Sequence, residues 1–286
     1  MSADKPLRVS VVVPAHNRPE HLPAAIRSAL AQTLTPVEVI VVDDCSDTDI
    51  RPALDGFDER VRFVRLPANR GANAARNAGV SAAVGDVVAF LDDDDRWLPE
   101  KLAAQVRLLA QGYEAAICGW QFDVTGRAQV HRTTEITENM LRRGNPYCGT
   151  SGLLAWRHVF VAEPFDETLK KGQDWDIFVR LAQRRPLAYV PRSLFWRPSS
   201  EHPSITQGAY EASPSELLLR ARTVRKHRSW LGEREYRRLL ARNLLTGVRR
   251  RKQKYRYVYA AVKEAGPVAT VRVISELARR RRGFES

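Results

Sequence analysis

Val87-Val88-Ala89-Phe90-Leu91-Asp92-Asp93-Asp94-Asp95 is an apolar run of five residues that stops on four carboxylates. A short apolar run reads as a buried strand, and the abrupt change to charge marks its end. The same event occurs twice upstream. Val9-Ser10-Val11-Val12-Val13 is a β-branched run closed by Pro14, with His16 and Asn17 just beyond, and residues 37–42 form another that ends on Asp43-Asp44. Between these runs Leu22, Ala25, Ile26, Ala29 and Leu30 recur at helical spacing, residues 72–83 are Ala-rich, and residues 98–109 are amphipathic. Residues 61–66 alternate, which predicts a strand towards the sheet edge. Strands alternating with helices predict an α/β fold with a parallel sheet covered on both faces. Ligands on such sheets bind beyond the carboxyl ends of the strands, where the polar residues of all three runs fall.

Farther along, residues 134–142 read as a short helix, 152–155 as a short apolar segment and 174–183 as a helix burying Trp175, Phe178, Val179 and Leu181. From Ser213 onward the pattern is helical. Charge divides the chain at the same point: residues 213–286 carry 21 Lys and Arg against 6 Asp and Glu, and the first 212 carry 25 against 27. A near-neutral working domain over 1–212 and a basic helical extension over 213–286 are expected.

Composition excludes several classes. With 44% hydrophobic and 28% charged residues in 286, the chain is neither disordered nor fibrous. The apolar runs are far too short to span a bilayer, and the polar opening Ser2-Ala3-Asp4-Lys5-Pro6 lacks a signal-peptide core. Cys45, Cys118 and Cys148 are an odd, scattered set, so neither a disulfide framework nor a zinc site is expected. A cytoplasmic protein, free or at the inner face of the cell membrane, is expected. No Walker-type phosphate loop, Gly-x-Gly-x-x-Gly turn or Gly-x-Ser-x-Gly elbow is present, which argues against P-loop, nicotinamide and serine-hydrolase chemistry.

The polar residues each admit two readings. Four adjacent carboxylates at a strand end repel one another and suit a hard divalent cation, or they form a solvated turn in which Asp95 caps the next helix. Asp43 and Asp44 either accept from a nucleobase or ribose or cap a turn. His16 is a loop residue or a ring for stacking on a base. Arg76 is salt-bridged or, near a helix start, faces a diphosphate. Asp174 is a helix cap or a general base, and His202 a loop residue or a metal ligand.

Taken in order, these segments resemble glycosyltransferase family 2, the inverting nucleotide-sugar transferases with the GT-A fold. Val9-Ser10-Val11-Val12-Val13-Pro14-Ala15-His16-Asn17-Arg18 resembles the family's opening strand and loop. Val41-Val42-Asp43-Asp44-Cys45-Ser46-Asp47 resembles its Val-Asp-Asp-Gly-Ser segment, with Cys45 in place of glycine. Asn69-Arg70-Gly71 with Ala75-Arg76-Asn77-Ala78-Gly79 is similar to its Asn-x-Gly and Ala-Arg-Asn-x-Gly stretch, and Phe90-Leu91-Asp92-Asp93-Asp94-Asp95 to its DxD region. More loosely, Gly172-Gln173-Asp174-Trp175-Asp176 resembles the Glu-Asp segment, with Gln173 replacing the glutamate. Arg197 and His202-Pro203-Ser204 resemble the Arg…His-x-x-Ser region, the histidine lying one position farther from the arginine.

The resemblance implies a Rossmann-like, mixed and mostly parallel sheet flanked by helices, with a nucleotide-sugar half over 1–112 and an acceptor half over 113–212. It implies that Asp94 and Asp92, with His202, hold Mg²⁺ or Mn²⁺ against the donor diphosphate. Asp93 would lie near the ribose, and Asp44 and His16 would hold the base in a pocket shaped by Pro14. Asn17, Arg18, Asp43 and Arg76 complete the implied donor site, and Asp174 is the implied base. A UDP-sugar donor and a glycan or lipid-linked acceptor are expected, in cell-surface polysaccharide or glycolipid synthesis. Tyr147, Thr150, Ser151 and Trp175 are expected acceptor contacts.

The basic tail interleaves Arg249-Arg250-Arg251-Lys252-Gln253-Lys254 with Tyr255, Tyr257, Tyr259 and Val262. It reads either as a peripheral anchor on anionic membrane or as a solvated helical cap, and it contains no recognised nucleic-acid module. Two other functions compete. A nucleotidyltransferase needs a Gly-rich, Arg-containing loop where Pro14-Ala15-His16-Asn17 stands. A degenerate membrane- or nucleic-acid-binding protein is suggested by Gln173 and opposed by Asp94 and Asp174.

Overall fold

Strands β1 (Val9–Ala15) and β2 (Glu38–Asp43) are buried along their whole length, as β-branched runs are when strands lie on either side and helices above and below. In the computed structural model, which describes residues 6–123, 125–198 and 212–281, β1 pairs in parallel with β2, Val12 opposite Ile40. The partner on its other side is β4 (Val87–Phe90), Val12 opposite Phe90. The alternating segment β3 (Val61–Arg65) pairs with β2 and ends the sheet on that side, as its half-buried pattern predicts.

Beyond β4 the sheet is mixed. Strand β9 (Leu154–Trp156) runs antiparallel between β4 and β6 (Ala115–Phe122). Strand β10 (Leu187–Arg197) is parallel to β6 and antiparallel to β5 (Arg96–Trp97). The order is β3-β2-β1-β4-β9-β6-β10-β5, with β7 (Ala128–Gln129) on β6 and β8 (Glu135–Ile136) on β10, ten strands among the described residues. The helix expected over 134–142 is instead β8 followed by one helical turn, Glu138–Leu141. β-Branched Thr133, Thr134, Ile136 and Thr137 suit the sheet edge that β10 offers there.

Helices α1 (Leu22–Leu30), α2 (Ala72–Ala82) and α3 (Lys101–Ala110) flank the sheet. Helix α2 starts after Gly71, whose φ of 93° a side chain would resist. It also lies unusually close to β1: a Cβ on Gly79 would stand 2.3 Å from Val12 Cγ1. Helix α3 carries a fully buried cation. The Lys101 amine donates to Gln105 Oε1 at 2.8 Å and sits 4.0 Å from the centre of the Trp97 ring. Burial draws its pKa down to about 8, against a small upward pull from the thiols of Cys118 and Cys148.

The described residues divide into two compact units. All elements so far belong to the first, built from 6–141, 145–168 and 173–198; the second takes 142–144, 169–172 and 212–281. The second unit is helical: Pro214–Arg220, Arg222–Lys226, Arg228–Leu245, Lys254–Ala265 and Pro267–Arg281. Ser213 opens it with a capping box, its hydroxyl accepting from the Glu216 amide and its own amide donating to the Glu216 carboxylate. Arg142 stacks 4.9 Å from the Trp230 ring, and Thr223 Oγ1 donates to the Lys171 carbonyl at 2.5 Å.

Candidate active site

In-register pairing brings Ala15 opposite Asp43 and Val12 opposite Phe90, so the loops after β1, β2 and β4 leave one edge of the sheet together. The first two are tied. Asn17 sits in the left-handed region at φ 54°; its amide oxygen accepts from the Asp47 N–H at 2.8 Å and its amide nitrogen donates to Asp47 Oδ2 at 2.7 Å. Its backbone N–H donates to Ser46 Oγ at 2.9 Å. Because Asp47 fixes the Asn17 amide, the 3.2 Å contact to His16 Nε2 makes that nitrogen the acceptor and leaves the proton on Nδ1, which is buried without a partner. Pro14 lies inside β1, buried opposite Val42.

Both aspartates after β2 are already engaged. Asp43 is wholly buried: Oδ1 accepts from the Ser46 N–H and hydroxyl at 2.9 and 2.5 Å, and Oδ2 pairs with Arg65 at 2.7 Å. Asp44 accepts from the Arg70 and Gly71 amides at 2.8 and 2.7 Å and so fixes the entry to α2. In this arrangement both carboxylates shape the loops around them. Cys45, between Asp44 and Ser46, takes φ 58°, the backbone conformation that glycine adopts without strain.

The acidic run is neutralised by arginines. Asp92 Oδ1 accepts from Arg76 Nη2 at 2.7 Å, Asp93 and Asp94 accept from the two ends of the Arg18 fork at 2.5 and 2.8 Å, and Arg197 lies 3.9 Å from Asp95. Arg76 is buried on α2, held also by Asn73 Oδ1 at 3.1 Å, so it positions Asp92 rather than standing open. Burial pushes Asp92 up, but Arg76 overrides it and the group titrates below the ordinary carboxylate range. Asp93 is different. Burial outweighs Arg18, Asp94 and Asp92 add to it, and its pKa rises to about 7 with Oδ2 buried and unpartnered. Asp95 is likewise pushed well up by burial and by Asp92.

Only Asp92 and Asp94 of the four keep substantial exposure, 32% and 31% of their side chains. Among the described residues no three His, Cys, Asp or Glu side chains converge as a metal cage. A magnesium-like ion needs only one or two carboxylates when substrate phosphates complete its shell, and the hard oxygens of Asp92 and Asp94 fit that requirement. His202 lies outside the described residues.

Asp174 lies in the first turn of the helix Gln173–Arg184. Its Oδ1 accepts from the Trp175 amide at 2.8 Å and Oδ2 from Asn145 Nδ2 at 2.9 Å. Burial nevertheless raises its pKa, against the pull of these bonds and of Arg197 and Arg76. Arg197 is felt by Asp92, Asp95 and Asp174 alike, so one guanidinium at the end of β10 links the acidic run to the candidate base.

Several expected acceptor contacts turn inward. Tyr147, Ser151 and Trp175 are buried; Ser151 Oγ accepts from the Asp92 amide at 3.0 Å, and the Trp175 indole donates to the Leu141 carbonyl at 2.8 Å. Buried Thr150 donates to Asp92 at 3.2 Å. These residues fit positioning roles behind the carboxylates. Asn145, which orients Asp174, escapes a sequence reading because Gly144-Asn145-Pro146 signals only a turn.

A model of the family described as Glycosyl transferase family 2 matches residues 10–167, more than half of the chain. The chain belongs to glycosyl transferase family 2. Relatives include the succinoglycan biosynthesis protein ExoO of Rhizobium meliloti (strain 1021), 36% identical over 191 residues, which are 60% of this chain and 55% of ExoO. TuaG of Bacillus subtilis (strain 168), named for teichuronic acid biosynthesis, is 40% identical over 110 residues, 37% of this chain and 43% of TuaG. The chain thus spans about half the length of these curated relatives. Crystal structures of S. aureus TarS 1–349 with UDP and with UDP-GlcNAc share the fold, with TM-scores of 0.63 and 0.64 at 18% identity. They align over 93% of this chain and 83% and 84% of TarS. The family 2 match includes every candidate donor residue from His16 to Asp94 and stops short of Asp174.

Proposed function

We propose that this chain transfers a sugar from a nucleoside-diphosphate donor to an acceptor hydroxyl by single displacement with inversion, in the assembly of a cell-surface polysaccharide. The observation that carries the reading is electrostatic: Asp92, an open carboxylate of the acidic run, and the raised carboxylate of Asp174 both feel the guanidiniums of Arg76 and Arg197. The donor half takes residues 1–112, the acceptor half 113–212, and 213–286 extend them. UDP is the favoured nucleotide, supported by the UDP and UDP-GlcNAc complexes of the TarS neighbours. The polysaccharide setting is supported by the names of ExoO and TuaG.

Asp92 and Asp94 would hold Mg²⁺ or Mn²⁺, which when bound offsets charge on the leaving diphosphate. His16 supplies a ring beside the base, and Asn17, Asp43 and Asp44 fix the loops that frame it. Arg18 keeps the charge of Asp93 and Asp94 balanced, and Arg76 keeps Asp92 ionised. Asp174 accepts the acceptor hydroxyl's proton as that oxygen bonds to the anomeric carbon and the bond to the diphosphate breaks. A carboxylate with an elevated pKa suits this step, because a base works best near the operating pH.

Thermal-shift titration with UDP, GDP, CDP and dTDP, each with and without Mn²⁺, tests the donor site. A nucleotide at 100 times its Kd stabilises the fold by ~2.7 kcal/mol. A metal-dependent shift with one nucleotide, lost in Asp94→Ala, is expected; no shift with any of them refutes the reading. NMR of the product's anomeric proton then checks inversion.

A further inference from the structure

Helices Lys254–Ala265 and Pro267–Arg281 both pack on Arg228–Leu245 and are separated by Gly266 at φ 86°. Their supported faces bury Tyr257, Ala261 and Ala265 on the first helix and Thr270 and Val273 on the second. The opposite faces are apolar as well. Tyr255, Tyr259 and Val262 are exposed on the first, and Val268, Val271 and Ile274 on the second. At about 100° per residue the first three fall within an arc of about 60° and the second three within about 120°. Arg256 and Lys263 border the first stripe, Arg272 and Arg279 the second, and all four are exposed. Arg249, Arg250, Lys252 and Lys254 precede them, also exposed. Among residues 249–279 the acidic side chains are Glu264 and Glu276, and Glu276 is engaged by Arg238 and Arg272.

Six large apolar side chains open to water within 20 residues, in one stripe on each helix, call for a cover. A second copy of the same face would set these cations against one another. A nucleic acid would satisfy the cations and leave the Tyr and Val stripes wet. Anionic phospholipid satisfies both features: headgroup phosphates meet the arginines and lysines, and tyrosine and valine enter the headgroup–acyl boundary, where amphipathic Tyr rings are favoured. We propose that this two-helix face docks on an anionic phospholipid bilayer, with both helices lying in the interface. No helix among the described residues is long and apolar enough to cross a membrane, in keeping with surface docking. The inference stands apart from the transfer reaction and does not depend on it.

Flotation of the full chain with vesicles tests it, using phosphatidylcholine alone and a 7:3 mixture with phosphatidylglycerol. Recovery with the anionic vesicles, falling as salt rises, and little with the neutral ones is expected. Arg249→Ser with Arg250→Ser should weaken partition about 25-fold, since each cation at an anionic surface contributes roughly fivefold. Tyr255→Ser with Tyr259→Ser should weaken it by about tenfold or more, and Val268→Ser with Val271→Ser supplies an independent check on the second helix. The substituted tyrosine and valine side chains are exposed, so for these variants an unchanged Tm and an unchanged UDP shift are expected and separate a failed docking face from a failed donor site. Equal recovery with neutral and anionic vesicles, or none with either, overturns the proposal. So does full retention in both apolar variants with complete competition by a 20-base-pair DNA duplex, which would mark a polyanion surface instead.

Discussion

Lys101→Met isolates the energetic consequence of the buried amine on α3. Moving a lysine pKa from its ordinary 10.5 to about 8 corresponds to about 3 kcal/mol. The sign follows from the order of the two titrations. Below pH 8 both folded and unfolded chains carry the charge, so the folded protein bears the full penalty. Between pH 8 and 10.5 the folded chain has released its proton while the unfolded chain keeps it, and stability recovers. Methionine fills a similar volume without charge but leaves Gln105 Oε1, which now accepts from the amine at 2.8 Å, without that donor, at about 1–3 kcal/mol. At pH 7 the variant should therefore be more stable by roughly 1 kcal/mol, the difference between these terms. Its advantage should shrink by about 3 kcal/mol as pH rises to 10.5. Urea unfolding in reducing buffer, followed by tryptophan fluorescence, reads this directly, because Trp97, Trp120, Trp156, Trp175 and Trp196 all lie in the unit that contains Lys101. The buried thiols of Cys118 and Cys148 titrate in both proteins and largely cancel in the comparison. A difference between the two proteins that stays flat from pH 7 to 10.5 would refute the argument that burial depresses Lys101.

Three further outcomes follow from the site and its scaffold. Asp174→Asn should lower kcat by about 10²–10⁴-fold while leaving the nucleotide-induced thermal shift in place; single-turnover kinetics with the preferred donor would separate the two effects. Cys45→Gly should relieve a left-handed backbone at φ 58° and stabilise the fold by ~1 kcal/mol net of the extra freedom in the unfolded chain, seen as a Tm rise of about 2 °C. Gly79→Ala should destabilise by about 1–3 kcal/mol, since the new methyl would meet Val12 Cγ1 at 2.3 Å in a buried strand; an unchanged urea midpoint would mean that α2 can lift off β1 freely.

Strands β1, β2 and β4 are readable because each is a short, dense apolar run broken by proline or aspartate. Strand β9 is not: its Leu154-Ala155-Trp156 core is three residues long, and nothing in so short a segment encodes that it enters antiparallel between β4 and β6. At the site, residue identity was easier to read than orientation. Asp43 and Asp44 look like ligand groups in a linear chain, yet Ser46, Arg65 and two backbone amides occupy their oxygens. The inward turn of Arg76 did leave a trace. Asn73, Arg76, Asn77 and Val80 recur at helical spacing on one face, and a polar set in register with a buried valine signals internal hydrogen bonding. The charge balance of Asp92 to Asp95 left none, because Arg18 and Arg197 are remote in sequence and only the fold brings them near.

Helix α2 fastens more than Asp92. Asn73 and Asn77 donate to the Asp166 and Phe165 carbonyls, the Phe165 amide returns a bond to Asn77, Arg70 pairs with Glu167, and the Arg76 guanidinium lies 5.6 Å from the Phe165 ring centre. A stretch that reads like a ligand-gripping motif is therefore mostly a truss, spanning from the loops at the sheet edge to a segment almost 90 residues later. The loops after β2 and β4 and the segment at 165–167 are thereby braced by a common strut. A change of sugar specificity would then be sought in the side chains of the loops, with Asn73, Arg76 and Asn77 left alone, because these residues tie α2 to Asp92 and to the segment at 165–167.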